Sequence, residues 1–357
     1  MKRAIAIGIV ALFVIGVASV ALMNNQPSDE DTIVVKDMLG DSVEVKKNPK
    51  VACVSRNSYD PLVSFGLQDY IDGAFKTTLE NRWVYEMEPT ASKLYAYSYD
   101  ESYETYIERG IDLVIAPEHH QNLVENLRQH GIATIVMWPY GYPTYEPYLY
   151  YIADLAKQLW PDVDGVSERA DAWKKDLSDT LEEISSTVKD KGLESKTVYY
   201  VRGEKSRLMS YTDIAGSFVE FSFKTLGADY LSSKYEYNKP STEQLLLDDP
   251  DVIVIGSYQQ HMVENELRTN PVWGDVTAVK NNEIYRIPVG FSAMEYTSAF
   301  APVFLCDMAN KLYPGTFSYD IPSMIKDICL RYYGYEASDE KVSYMIDGLG
   351  PDGKALE

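Results

Sequence analysis

Cysteine, histidine and positive charge are all scarce in this chain, and each shortage removes a class of function. There are three Cys and four His in 357 residues. Cys53, Cys306 and Cys329 are odd in number and far apart, so they imply no disulfide framework, and no Cys-x-x-Cys pair exists to hold a cluster. Lys and Arg total 33 against 54 Asp and Glu, a formal charge of −21. Nothing in that balance would release counterions from a polyanion, which excludes nucleic acid as a partner. Enzyme signatures are missing too: there is no phosphate-binding loop, no Gly-x-Ser-x-Gly elbow and no His-Glu-x-x-His. Gly290-Phe-Ser-Ala-Met294 matches the elbow only superficially.

One hydrophobic run stands out. Met1-Lys-Arg precedes an uncharged stretch from Ala4 to Met23, and the acidic Ser28-Asp-Glu-Asp31 follows it. A basic start, an apolar middle and a polar exit describe an export signal over residues 1–25. It is either cleaved near Ala18–Ala21 or kept as an anchor, and either way the body lies outside the cytoplasm.

What the chain does have is a repeated sentence. Ser241-Thr-Glu-Gln-Leu-Leu-Leu-Asp-Asp-Pro-Asp-Val-Ile-Val-Ile-Gly256 echoes Ser102-Tyr-Glu-Thr-Tyr-Ile-Glu-Arg-Gly-Ile-Asp-Leu-Val-Ile-Ala116. In each, a Ser opens the segment, a Glu follows by two, and an Asp eight residues later leads into an apolar run. Each reads as a Ser-capped short helix, a turn and an interior parallel strand. An echo of this length is no solenoid; it predicts two similarly built lobes.

Around these units the chain alternates strand and helix. Thr32–Lys46 predicts an edge hairpin, Val51–Val54 a core strand with Ser55–Asp60 as its exit loop, and residues 76–100 a Tyr-rich loop. The strand Ile132–Trp138 leads to a second aromatic loop, Pro139–Tyr145. Ala170, Trp173, Leu177, Leu181 and Ile184 recur at helical spacing within Val166–Lys189, an amphipathic helix long enough to join the lobes stiffly. The expected divisions are a leader or anchor (1–25), an N-terminal lobe (26–160), a bridging helix (161–192), a C-terminal lobe (193–317) and a helical extension (318–357). The fold class is α/β, two Rossmann-like lobes with mainly parallel sheets.

Ligands of parallel α/β sheets sit at the carboxyl ends of the strands, which selects particular side chains. Arg56 and Arg202 follow the first strands of the two lobes, and Arg82 lies in the first Tyr-rich stretch. Their guanidinium forks suit carboxylate or catecholate oxygens. His119, His120 and His261 leave equivalent strands and either converge on a metal or donate to an anion. His130, at a helix end, reads as structural. Tyr97, Trp138, Tyr140 and Tyr258 offer faces to a bulky chelate. Against these stand plainer roles: ion pairs with the plentiful acids, solvated imidazoles and rings packed on their own lobe.

The chain resembles the periplasmic substrate-binding proteins of ABC importers for iron complexes and cobalamin. The resemblance runs from about Thr32 to Phe317. It rests on Asp37-Met-Leu-Gly-Asp41 with Asn48-Pro-Lys50, the two Glu units, Asn270-Pro-Val-Trp273 running into Ala278-Val-Lys-Asn281 and Ile284-Tyr-Arg-Ile-Pro288, and Tyr313-Pro314. It implies a ligand cleft between the lobes, closing by a small motion, and a monomer that performs no chemistry and needs no cofactor. It also implies that Glu104 and Glu243 dock on a membrane permease dimer; solvated carboxylates are the plainer reading. The expected cargo is a ferric siderophore or similar iron complex, ahead of cobalamin and then of a free metal ion or oxyanion. A metal-cluster or redox protein on a related fold is the alternative of another class.

Overall fold

The computed structural model describes residues 31–137, 144–203 and 205–356. Residues 1–25 and the predicted ligand contacts Trp138 and Tyr140 therefore lie outside the described residues. Among those described, no helix is long and apolar enough to cross a membrane.

Strands β1 (Thr32–Lys36) and β2 (Ser42–Lys46) form the expected antiparallel hairpin. A five-stranded parallel sheet follows, built from β3 (Val51–Cys53), β4 (Ile71–Phe75), β5 (Tyr95–Tyr97), β6 (Leu113–Pro117) and β7 (Ala133–Met137) in the order β5-β4-β3-β6-β7. A four-stranded parallel sheet comes from β8 (Thr197–Val201), β9 (Asp229–Tyr230), β10 (Val252–Ile255) and β11 (Ile284–Arg286) in the order β11-β10-β8-β9. In chain order the helices are α1 (Arg56–Ser64), α2 (Lys76–Leu79), α3 (Arg82–Met87), α4 (Tyr103–Glu108), α5 (Gln121–Gln129), α6 (Tyr151–Leu159) and α7 (Val166–Lys191). Then come α8 (Phe218–Thr225), α9 (Thr242–Asp248), α10 (Gln260–Thr269), α11 (Thr277–Lys280), α12 (Ala301–Leu312), α13 (Ile321–Tyr333) and α14 (Asp339–Ile346).

The repeated units now have a physical reading. β6 and β10 are buried along their whole length, which is why their sequences are continuously apolar rather than alternating. The repeated Asp pins the neighbouring strand: Lys50 N donates to Asp112 Oδ2 (2.9 Å) ahead of β3, and Thr197 N donates to Asp251 Oδ2 (2.8 Å) at the start of β8. Each bond sits at the amino end of a parallel pair, β3 with β6 and β8 with β10. The shared acid thus fixes the central register of both sheets.

The caps differ. Ser241 accepts from Gln244 N as expected, whereas Ser102 makes no capping bond and its hydroxyl lies 3.4 Å from Thr105 Oγ1. Two other expectations are corrected. Residues 76–100 hold α2, α3 and the short strand β5 rather than a loop. Arg56 opens α1 directly, so β3 has almost no exit loop.

Helix α7 buries Val166, Ala170, Trp173, Leu177, Leu181 and Ile184, the stripe read from the sequence. It packs against both α6 and α12, and a left-handed glycine flanks it at each end, Gly165 and Gly192. The lobes also meet directly. Asn81 Nδ2 donates to Gly290 O (2.8 Å), and Tyr59 stacks on Phe291. The buried Asp60 accepts from Ser292 Oγ (2.5 Å) and Tyr333 OH (3.0 Å).

Candidate functional site

Each sheet reverses its strand order at one point, between β3 and β6 in the first and between β8 and β10 in the second. The strands' carboxyl ends part there and leave a crevice. The residues leaving these four strands are Arg56, His119 with His120, Arg202 with Gly203, and Ser257 to Gln259. Arg56 meets Arg202, Gly203, Tyr258 and Gln259 across the lobes on one cavity wall, whereas His119 and His120 line a separate pocket with Glu118, Gln121 and Asn122.

The first lobe contributes an aromatic and imidazole column. Phe75 stacks on Tyr99 (4.0 Å between centroids), Tyr99 stacks on His120 (3.6 Å), and Arg56 lies 5.2 Å from the Phe75 ring. Tyr99 also lies within hydrogen-bonding reach of Arg56. The Arg56 Nε is buried without a partner among the described residues, an uncommon state for a charged donor and one that a ligand acceptor would relieve. His119 has its pKa lowered to about 4, first by desolvation and then by the positive neighbours His120, Arg56 and Arg202. His119 is therefore neutral in the ordinary range of pH.

The second lobe contributes a braced guanidinium. Arg202 pairs with the buried Asp213 (3.2 Å) and lies 5.3–5.7 Å from the rings of Tyr211, Tyr258 and Tyr296. The ion-pairing reading of this arginine is correct, yet its aromatic surround leaves it at the cleft wall. Behind it, buried Glu295 accepts from Ser257 N (2.7 Å), Ser257 Oγ (2.6 Å) and Tyr200 OH (3.1 Å), fixing the loop that carries Tyr258. Burial raises the pKa of Glu295, and these donors oppose the rise. Gly203 has φ +79°, and a Cβ there would meet Tyr258 O at 2.9 Å. Only glycine lets the two exit loops pass so closely.

Two cavities open on this junction and share Arg56, Tyr258 and Gln259. One, of about 450 Å3, is lined by Arg56, Arg202, Lys205, Arg207 and Lys239, with no acid among the described residues of its wall. Asp213 offsets the charge of Arg202 from behind, and the basic side chains that line the wall still make it positive against the acidic remainder of the protein. The other, of about 400 Å3, runs between Asp60, Asn81, Ser257 and Ser292. Both have the size of small-ligand sites.

Several predicted contacts are placed elsewhere. Tyr97 is fully buried, with its hydroxyl on Asp72 (2.8 Å) and its ring on Tyr106; Tyr99, just past the strand, stacks between Phe75 and His120 instead. Arg82 borders the second cavity but its Nη2 is held by Lys354 O (2.8 Å) and Ala355 O (2.9 Å). His261 does not join His119 and His120. Gln259 turns left-handed (φ 55°) and starts α10, so His261 already lies inside the helix, 3.3 Å from Arg286. Three imidazoles therefore do not converge, and no cluster of three or more His, Cys, Asp or Glu among the described residues is placed to hold a metal. His130 is structural: it stacks on Tyr103 and its Nδ1 contacts Asn126 O. All three Cys are free and buried. Lys205, Arg207, Lys239, Tyr99 and Tyr211 were missed; three cations in Arg202–Arg207 were the available signal.

Glu104 and Glu243 lie exposed in the first turns of α4 and α9. Each carboxyl is held below its ordinary pKa, first by its own backbone N–H and then by neighbouring hydroxyls.

Residues 112–289 match the family described as periplasmic binding protein. The chain is 28% identical over 176 residues to the Fe(3+)-citrate-binding protein YfmC of Bacillus subtilis, covering 49% of this chain and 52% of that protein. It is 28% identical over 142 residues to the high-affinity heme uptake system protein IsdE of Staphylococcus aureus, covering 34% and 46%. The match thus spans about half the length of these relatives. Among solved structures, the molybdate periplasmic binding protein MolA of Haemophilus influenzae superposes with TM-score 0.72 at 15% identity, covering 86% of this chain and 99% of that one. CeuE of Helicobacter pylori, in its Ni–His complex, gives 0.69 at 18%, covering 88% and 99%. These two likenesses establish the two-lobed fold.

Proposed function

Because this chain belongs to the periplasmic binding protein family, whose solved relatives bind solutes rather than transform them, we propose that it captures an anionic iron chelate outside the cytoplasm and delivers it to an ABC permease. The cargo is a ferric siderophore or similar complex with carboxylate oxygens, of the ferric citrate kind. One observation carries this reading: a cavity walled by five cations at the junction of both lobes, in a chain of net charge −21. Arginine forks match paired carboxylate oxygens. A flat corrin or porphyrin is the second reading, favoured by the stacked Phe75–Tyr99–His120 column.

The test is a thermal-shift panel of ferric citrate, a ferric catecholate, haemin, cobalamin, molybdate and zinc. At a hundredfold excess over its dissociation constant the true cargo stabilises by about 2.7 kcal/mol. Ferric citrate or the catecholate should shift the midpoint; a shift by cobalamin or zinc alone overturns the reading. Delivery falls to Glu104 and Glu243, one acid per lobe, against basic residues of a two-fold permease, with the binding protein acting as a monomer. A Glu104→Ala, Glu243→Ala double variant should bind cargo normally and lose permease-coupled uptake. Unchanged uptake would remove this docking role.

A further inference from the structure

Beyond α14 the chain turns back as a small hairpin. Gly350 N donates to Lys354 O (2.7 Å), and Leu349 and Ala355 form an antiparallel bridge. The first lobe grips this hairpin through α3. Trp83 Nε1 donates to Leu349 O (2.8 Å), Arg82 donates to Lys354 O and Ala355 O, and Arg82 pairs with Asp352 (3.2 Å). Its stem belongs to the second lobe: Val289 N donates to Met345 O (2.8 Å), and Gly348 packs so tightly on Gln260 that a Cβ there would meet Oε1 at 1.9 Å. The segment thus crosses from one lobe to the other. Its far end, Ala355 and Leu356, forms part of the wall of the 400 Å3 cavity that shares Arg56, Tyr258 and Gln259 with the basic one.

We propose that residues 349–356 are a specificity wall of the cargo cleft, docked on Arg82 and Trp83, that admits compact ferric chelates and excludes larger ones. The inference rests on the iron-chelate reading above and adds what limits cargo size. A neutral wall suits this place, because the cations on the other side already hold the charged part of the cargo. Arg82, which the sequence offered as a cargo ligand, acts here as a positioning residue: its donors hold the hairpin's carbonyls, and the hairpin shapes the space.

Two variants move the wall in opposite directions. Deletion of residues 349–357 opens the cavity, and Ala355→Trp fills it. Each is compared with the full chain by tyrosine and tryptophan fluorescence titration with ferric citrate, a ferric trihydroxamate and haemin. The deletion should retain ferric citrate within about threefold and gain at least tenfold for haemin. Ala355→Trp should lose at least tenfold for ferric citrate while its unfolding midpoint stays put, which keeps the test alive if the deletion folds poorly. The same order of affinities in all three proteins overturns the wall. Failure of the cargo reading looks different: the full chain itself then binds none of the ferric chelates.

Discussion

The two lobes share a scaffold and differ in what they present to the cleft. Asp112 and Asp251 pin the central strand pair in the same way, and Glu104 and Glu243 stand exposed at the same step of each unit. Past the strands the likeness ends. The first lobe offers Arg56 with an unpartnered Nε beside a column of stacked rings. The second offers Arg202, already tied to Asp213, and a loop held from behind by Glu295. The parts that build a sheet are alike in the two lobes, while the residues at the strand exits differ. One lobe supplies a free donor and the other a braced one.

The sharpest way to break this contrast is to remove each arginine. Arg202→Met should lower stability by about 3 kcal/mol, because Asp213 is left buried without its cation, and should weaken ferric citrate binding at least tenfold. Arg56→Met should weaken binding as much and change stability by less than about 1 kcal/mol, since among the described residues it has no ion pair to lose, only its contacts with Tyr99 and Phe75. Urea unfolding and titration measure both, and equal stability losses would erase the distinction between braced and free. Next comes Glu295→Ala, which strands Ser257 N and Tyr200 OH and should cost about 2 kcal/mol. A loss within the error of urea unfolding would show that the loop holds itself.

The pH dependence separates the lobes again, because the imidazoles flanking the junction belong to the first. His119 is held down to about 4, so as pH falls from the ordinary imidazole value near ~6.5 the unfolded chain gains a proton that the folded chain refuses. Stability is then lost across that window. Burial is the larger cause of that depression and the arginines a lesser one; an anionic cargo held between Arg56 and Arg202 would offset their share and raise the pKa of His119. Cargo binding between about pH 4 and 6.5 should therefore take up a small fraction of a proton, because His119 is exposed and solvent screens the effect. Calorimetry in two buffers of different ionisation enthalpy reads this directly, and His119→Asn should reduce the uptake. Smallest is the effect of the caps. Ser241→Ala should cost about 1 kcal/mol and Ser102→Ala close to none, since only Ser241 accepts a backbone hydrogen bond. Equal costs would show the caps to be equivalent in solution.

Much of the architecture was legible because it is written in local patterns. The buried runs of β6 and β10, the repeated acids and the stripe of α7 each fall within a few turns of chain. What escaped depended on direction or on distance. Tyr97 and Tyr99 are two residues apart, and only the point where β5 ends decides which faces inward. β5 itself has three residues, too few for an alternation to declare itself. His261 was lost to the left-handed turn at Gln259, a conformation that Gln seldom signals. Arg82 meets Lys354 and Ala355 across some 270 residues of sequence, beyond any periodicity.

Helix α7 has a further consequence for the molecule as an object to be recognised. Its 26 residues make a rod about 39 Å long, seated in both lobes and flanked by a tight glycine turn at either end. A rod does not stretch, so α7 holds its seats on α6 and α12 at a set separation. Any relative movement of the lobes is then a rotation about those seats, and on the reading proposed above it would register at the lips of the crevice, where the rings and guanidinium groups lie.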